Sequence, residues 1–326
     1  MKRYLLLTLI FLLTLAISAC SPQPATQSSQ DGLPRVLVVE TFLADIVQNV
    51  AGDRLKVETL MPSGIDPHSY QPSPQDVARI AESDLLILNQ LGLEEALEKI
   101  LLSAGGEFIL VEASAGLTSR ELADALHESE GVHEGEGVHD EEASLADPHH
   151  DTDPHFWLDP INVITFVNNI RDGLIQVDPV GAEVYTRNAE TFTAELIQLD
   201  IWIAEQVDQI LPPRRLLVTN HESLGYFADR YGFTIVGSII PSVTTGASPS
   251  AQDLASLISR IKETGAPAVF LETGTNPRLA EQLEAETGIK IAPGIYSHST
   301  TEGEGPASSY LEMMRYNTTV IVDALK

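Results

Sequence analysis

Residues 179–211 read PVGAEVYTRNAETFTAELIQLDIWIAEQVDQIL, and their apolar side chains fall on one stripe. Val184, Tyr185, Ala189, Phe192, Leu196, Leu199, Ile203, Val207 and Ile210 recur every three or four residues, the period of an amphipathic helix. No Pro or Gly interrupts from Ala182 to Leu211, and Pro212-Pro213 forbids continuation. A helix of about 30 residues would run about 45 Å, longer than an ordinary domain helix. It reads as a strut spanning two lobes. Upstream, apolar runs at 35–40 (RVLVVE), 55–60, 85–89 and 108–112 alternate with helical segments at 41–50, 74–81 and 94–103. Ser73 and Pro74 give the second of those helices a capped start. Downstream the rhythm restarts: strands at 216–219, 233–237, 268–272 and 289–292, helices at 221–231, 251–264 and 277–287, and a last helix at 308–324. Strands alternating with helices at this spacing imply βαβ units. The expected fold is α/β with two lobes, each a mostly parallel four-stranded sheet flanked by helices, joined by one long rigid helix.

The composition narrows what such a protein does. Among 326 residues, 19 Lys and Arg face 47 Asp and Glu, a formal charge of -28. That charge opposes nucleic acid, whose phosphates attract basic surfaces, and anionic lipid, so any membrane link needs an anchor. The single Cys excludes a disulfide framework and Cys-rich metal sites. A transition metal would have to be held by His and carboxylates.

The N-terminus reads as an export signal. Lys2 and Arg3 precede an apolar run at 4–17, then Ser18-Ala19-Cys20. The run is short of the about 20 residues that span a bilayer. Placing the only Cys after Ile-Ser-Ala resembles a bacterial lipobox, with Cys20 the lipidated first residue of the mature chain. Residues 21–32, SPQPATQSSQDG, read as a flexible tether. The expected order is signal peptide 1–19, tether 20–32, N-terminal lobe 33–178, linking helix 179–211 and C-terminal lobe 212–326.

The 9 His fall into two groups. His127, His133, His139, His149 and His150 lie in residues 121–153, a segment rich in Asp and Glu without Lys or Arg that reads as a mobile, low-complexity loop. His68, His155, His221 and His298 instead follow the carboxyl ends of strands, where α/β proteins build sites. Two come from each half, so a cleft between lobes could gather all of them. Neutral imidazoles suit tetrahedral Zn²⁺ at about 2.0–2.1 Å, and the Asp of Asp66-Pro67-His68 and Asp153-Pro154-His155 could hold the second ring nitrogen. Four ordinary imidazoles would compete for protons near pH 6.5, so binding should fall steeply below neutrality. Spacing alone leaves a metal site and four solvated histidines equally open. Glu112 and Glu272 at strand ends read as structural or outer groups rather than ligands, and Trp157 as packing.

GIDPHSYQPSPQD around His68, DPHFWLDP around His155 and NHESLGYFADRYGF around His221 resemble the ligand motifs of the zinc/manganese substrate-binding proteins of bacterial ABC transporters. The likeness continues through FLETGTNPRLAEQLEAETGIK and GPASSYLEMMRYN, nearly the whole mature chain. It implies one divalent metal bound between the lobes and delivered to a permease with its ATPase, in a protein lipid-anchored outside the cytoplasm and acting as a monomer. It carries His68, His155 and His221 as ligands, the last being His in zinc-type members and usually Glu in manganese-type ones. At His298 the family typically has Asp, so the site here would be four imidazoles, which favours Zn²⁺ over Mn²⁺. A Mn²⁺ carrier and a metal-binding surface adhesin are the alternatives. The acidic loop would collect metal weakly, or be a solvated insertion with adventitious affinity. A zinc hydrolase is disfavoured: His221-Glu222 begins an HExxH pattern but position 225 is Gly.

Overall fold

A computed structural model of the protein describes residues 32–101, 105–120 and 152–326. The signal peptide, Cys20, most of the tether, and His127, His133, His139, His149 and His150 lie outside the described residues. Residues Pro34–Lys326 form one compact unit. Its elements run β1 (Val36–Val38), α1 (Thr41–Ala51), β2 (Val57–Thr59), α2 (Pro74–Ala81), β3 (Leu85–Leu88), α3 (Glu95–Leu101), β4 (Ile109–Glu112), α4 (Pro160–Val177) and α5 (Ala182–Val207). The second half continues with β5 (Leu216–Thr219), α6 (Gly225–Tyr231), β6 (Thr234–Ser238), α7 (Ala251–Thr264), β7 (Ala268–Phe270), α8 (Arg278–Thr287), β8 (Lys290–Ile291) and α9 (Tyr310–Leu325).

The strands make two four-stranded sheets of the same order, β2-β1-β3-β4 and β6-β5-β7-β8. Every pairing in them is parallel, so "mostly parallel" understated the regularity. In each sheet the chain leaves the first strand for one neighbour and then returns to the other side. That reversal opens a crevice at the carboxyl ends, the usual ligand position in such sheets.

Alternate residues of each strand face opposite layers. Val36, Val38, Leu85 and Ile87 of the first sheet join Leu217, Ala268 and Phe270 of the second in one apolar core. Leu37, Val39, Leu86 and Leu88 face a smaller cluster with Leu60 and Ile80. Val218, Val236 and Val269 face another with Leu257 and Ile261. The shared core is assembled around α5, whose Tyr185, Phe192, Leu196, Leu199, Ile203 and Val207 are all buried.

The strut is shorter than its sequence suggests. Pro179–Gly181 forms a separate 3₁₀ turn, and the helix proper holds 26 residues, about 39 Å. The expected helix at 221–231 begins only at Gly225, because the Ser223 amide bonds back to the His221 carbonyl at 2.9 Å in a tight turn. Helix α4 has no counterpart in the sequence reading. Asp159 caps it, accepting from the Ile161 amide at 2.8 Å, with Pro160 at its first position. It packs along α5 and against β4, where Gly173 leaves no room for a Cβ beside Val111.

The stripe makes a paired prediction. Leu199 is 0% exposed while Ile201, two residues on, is 46% exposed. Leu199→Ala should cost about 2–5 kcal/mol through lost contacts and a cavity, and Ile201→Ala should stay within about 0.5 kcal/mol. Denaturant midpoints of the two variants check this, and equal losses would contradict the burial of one face only.

Candidate metal centre

Two of the four junction histidines are presented by the same local device. In Asp66-Pro67-His68 the His68 amide donates to Asp66 Oδ1 at 3.0 Å, and in Asp153-Pro154-His155 the His155 amide donates to Asp153 Oδ1 at 3.0 Å. An Asp side chain capping its own backbone two residues on is a standard turn former. Each imidazole thereby leaves its loop at a fixed angle. His221 follows β5, where the Thr219 hydroxyl donates to the His221 carbonyl at 2.7 Å. His298 follows β8 on a loop pinned by Asn317 of α9, which exchanges two bonds with the Tyr296 backbone at 2.8 and 2.6 Å. Trp157 Nε1 donates to the Ser297 carbonyl at 2.7 Å, so the first lobe also holds that loop.

These elements bring His68, His155, His221 and His298 together, with one nitrogen of each ring within 4.8 Å of the others. His155 Nε2 lies 3.4 Å from His68 Nε2 and 3.2 Å from both His221 Nε2 and His298 Nε2. Ring nitrogens about 2.0–2.1 Å from a central zinc would lie about 3.3–3.4 Å apart in a tetrahedron. His155, His221 and His298 are buried, His68 half-buried.

The outer nitrogens differ in what holds them. His155 Nδ1 is 2.9 Å from Asp153 Oδ1, a carboxylate that can only accept, so the proton sits on Nδ1. His221 Nδ1 lies 3.0 Å from Glu272 Oε1, off the line of a hydrogen bond but within an ion pair. His298 Nδ1 meets Ser297 Oγ at 2.9 Å, with Glu272 Oε2 3.8 Å away. His68 Nδ1 is buried without a partner. Where two facing ring nitrogens both carry lone pairs at this separation they repel, and a cation at the centre would relieve that repulsion.

Burial sets most of the titration. It holds His68 well below the ordinary histidine value, helped by repulsion from the other three rings. It lowers His155 despite the Asp153 carboxylate, and drives His298 down to about 3 despite Glu272. His221 goes the other way: burial is outweighed by the Glu272 charge, and its value is raised. Burial would raise Glu272, but His221 and His298 hold it well below the carboxylate range. Burial thus works against protonation of His68, His155 and His298, while the Glu272 charge favours it at His221.

Glu272 and Asp153 therefore supply negative charge one layer outside the imidazoles. Asp153 also meets Arg120 Nη1 at 3.2 Å, and Arg120 reaches Asp229 at 2.5 Å. The Tyr226 hydroxyl donates to the Asp153 carbonyl at 2.8 Å. Neither Arg120 nor Tyr226 was legible as part of this layer, since both meet Asp153 only through the fold. Trp157 stacks on Phe42 at 4.5 Å, consistent with packing, yet its ring also lies 5.3 Å from His155. Glu112 lies in β4 and Glu222 is not among the gathered residues. Among the described residues no helix is long and apolar enough to cross a membrane.

A family model for "Zinc-uptake complex component A periplasmic" matches residues 36–324. The chain is 32% identical to the manganese-binding lipoprotein MntA of Halalkalibacterium halodurans, covering 100% of this chain and 99% of that protein. It is 29% identical to the manganese ABC transporter substrate-binding lipoprotein PsaA of Streptococcus anginosus, again over 100% and 99%. The periplasmic zinc binding protein TroA from Treponema pallidum superposes with a TM-score of 0.76 at 25% identity, over 90% of this chain and 99% of that one. The chain belongs to the periplasmic component A family of zinc-uptake complexes, and is a substrate-binding protein of metal ABC transport, not an enzyme.

Proposed function

We propose that the protein captures Zn²⁺ between its lobes on His68, His155, His221 and His298 and delivers it to the permease and ATPase of its transporter. The observation that carries this reading is the donor set: among the described residues, four imidazole nitrogens gather with no carboxylate oxygen in the group. Nitrogen donors suit zinc, whereas manganese prefers oxygen. Mn²⁺ is the second reading, favoured by the relatives named as manganese-binding; the same four imidazoles would hold it more weakly. Four protein ligands fill a tetrahedral shell, which suits a carrier, while a catalytic zinc keeps a position for water. All four come from one chain, which supports a monomer as the working unit. Cys20 after its signal-like run, and the relatives named as lipoproteins, support an extracytoplasmic protein lipid-anchored to the membrane. Residues 20–32 would then be the tether, 33–178 and 212–326 the lobes, and 179–211 the link. The acidic loop 121–153, with its five His, would gather cations through its charge.

Calorimetric titration of metal-free protein should show one tight Zn²⁺ site and markedly weaker Mn²⁺ binding. His298→Ala should weaken zinc more than the about 10–100-fold that loss of an outer partner such as Glu272 costs. His298→Asp should lose less and gain relative affinity for Mn²⁺. A parent protein preferring Mn²⁺, or a His298→Ala variant binding zinc like the parent, contradicts the four-imidazole assignment.

The same site predicts a shallow acid limb. His221, raised by Glu272, gains its proton first as the pH falls, while the other three rings stay neutral longer. Zinc affinity should fall by about tenfold per pH unit below the His221 value, one proton displaced per metal. Titration at pH 7, 6 and 5 in buffers of different ionisation enthalpy counts those protons. A count near four at pH 6 would show rings titrating as ordinary histidines.

Cys20→Ser should leave the protein in the soluble fraction of fractionated cells, and retention in the membrane pellet would exclude the lipid anchor.

A further inference from the structure

One cavity of about 380 Å³ reaches the metal centre, through His298 and Glu272, and its rim is built from both lobes. Asp66 and Ser69 line it from the first lobe, and Thr245, Gly246 and Thr273 from the second. Across this rim the Thr245 hydroxyl donates a short hydrogen bond to Asp66 Oδ2. The other oxygen of the same carboxylate, Oδ1, accepts from the His68 amide at 3.0 Å. Asp66 thus shapes the turn that presents His68 while gripping the opposite lobe. The loop carrying Thr245 is itself tied to a second ligand. The Thr244 amide donates to Ser242 Oγ at 3.1 Å, and the Ser242 carbonyl accepts from the amide of Glu222, next to His221, at 2.9 Å. A path of hydrogen bonds and peptide links therefore runs from His68 to His221 across the cleft without passing through the metal. Other bonds between the lobes near the centre join different segments: Gly64 to Ser299 at 3.2 Å, Ser63 to the Thr300 carbonyl, the Thr300 amide to Thr41 at 2.9 Å and Trp157 to the Ser297 carbonyl at 2.7 Å tie the His298 loop to the first lobe, and Tyr226 and Arg120 join Asp153 and Asp229 on the far side of His155. Among the described residues the hydrogen bond from the 240–246 loop to the first lobe is that of Thr245.

We propose that the Thr245–Asp66 hydrogen bond is the contact that sets how long the metal stays bound, with Asp66 a positioning residue acting through His68 and Thr245 its partner across the cleft. The proposal rests on the four-imidazole reading above. Removing the hydroxyl frees the 240–246 loop to swing from the first lobe, and His68 and His221 then part more often. Coordination in the closed form is untouched, because Asp66 still caps the His68 turn.

The test uses the full mature chain and two substitutions, Thr245→Val, which keeps shape and loses the donor, and Thr245→Ser, which keeps the donor. Zn²⁺ release into excess chelator is followed by stopped flow, and Co²⁺ absorption reports coordination. Thr245→Val should release zinc about tenfold faster, the equivalent of about 1.4 kcal/mol, close to the lower end of the about 1.5–3 kcal/mol that a hydrogen bond to a charged acceptor contributes. Thr245→Ser should return the rate to near that of the parent, and the Co²⁺ spectrum should be the same in all three proteins. An unchanged release rate in Thr245→Val, an altered Co²⁺ spectrum in that variant, or a Thr245→Ser protein as fast as Thr245→Val would each overturn the proposal. A parent protein lacking a stoichiometric Co²⁺ spectrum would overturn the coordination reading beneath it.

Discussion

Both lobes press their inner sheet faces onto one apolar core, and every other feature of the molecule depends on that shared packing. Val36 and Leu85 of the first sheet and Leu217 and Phe270 of the second belong to the same cluster, with the buried stripe of α5 in it. Two lobes joined only by a linker would sample many separations, and a site split between them would have no defined size. Here the core fixes the carboxyl ends of both sheets relative to each other. The loops leaving those ends then need to bridge only a short distance. That is how His155 from one lobe comes within 3.2 Å of both His221 and His298 from the other.

The electrostatics follow from the same enclosure. Burying four imidazoles costs little while they are neutral, and three of them are held neutral by burial. Charge is placed one layer out instead. Asp153 is fully buried and shares its carboxylate between His155 and Arg120, while Glu272 serves His221 and His298. A buried carboxylate is tolerated where it is paired, and a bound dication would complete that pairing. In the proposed carrier the arrangement would separate two tasks that a carboxylate ligand would combine: imidazoles would select the metal by donor type, and the outer acids would tune its charge.

The fold was legible where pattern is local. The short apolar runs at 85–88 and 216–219 and the stripe of 184–207 are written residue by residue, and each became the expected element. The four histidines were legible as a group because strand ends recur in the sequence rhythm, and the repeated Asp-Pro-His foreshadowed one shared turn. Helix α4 was passed over because it follows the acidic segment, whose composition masks the periodicity beside it. Arg120, Tyr226 and Thr245 were illegible for a different reason. Each acts through a partner dozens to more than a hundred residues away, and nothing in its own neighbourhood marks it.

The metal preference shows how far family likeness reaches. Overall identity with proteins named for manganese is distributed over the whole chain, and most of that chain builds sheets, helices and the shared core. Selection between zinc and manganese depends on a handful of donor atoms. Exchanging one carboxylate oxygen for an imidazole nitrogen changes the identity by a single residue, yet alters ligand type, ligand charge and preferred coordination number together. The two donors that the second lobe brings to the cluster, His221 and His298, both carry nitrogen here. The relatives' names therefore speak for the scaffold and its place in transport, and the proposal of zinc rests on the four rings that meet between the lobes.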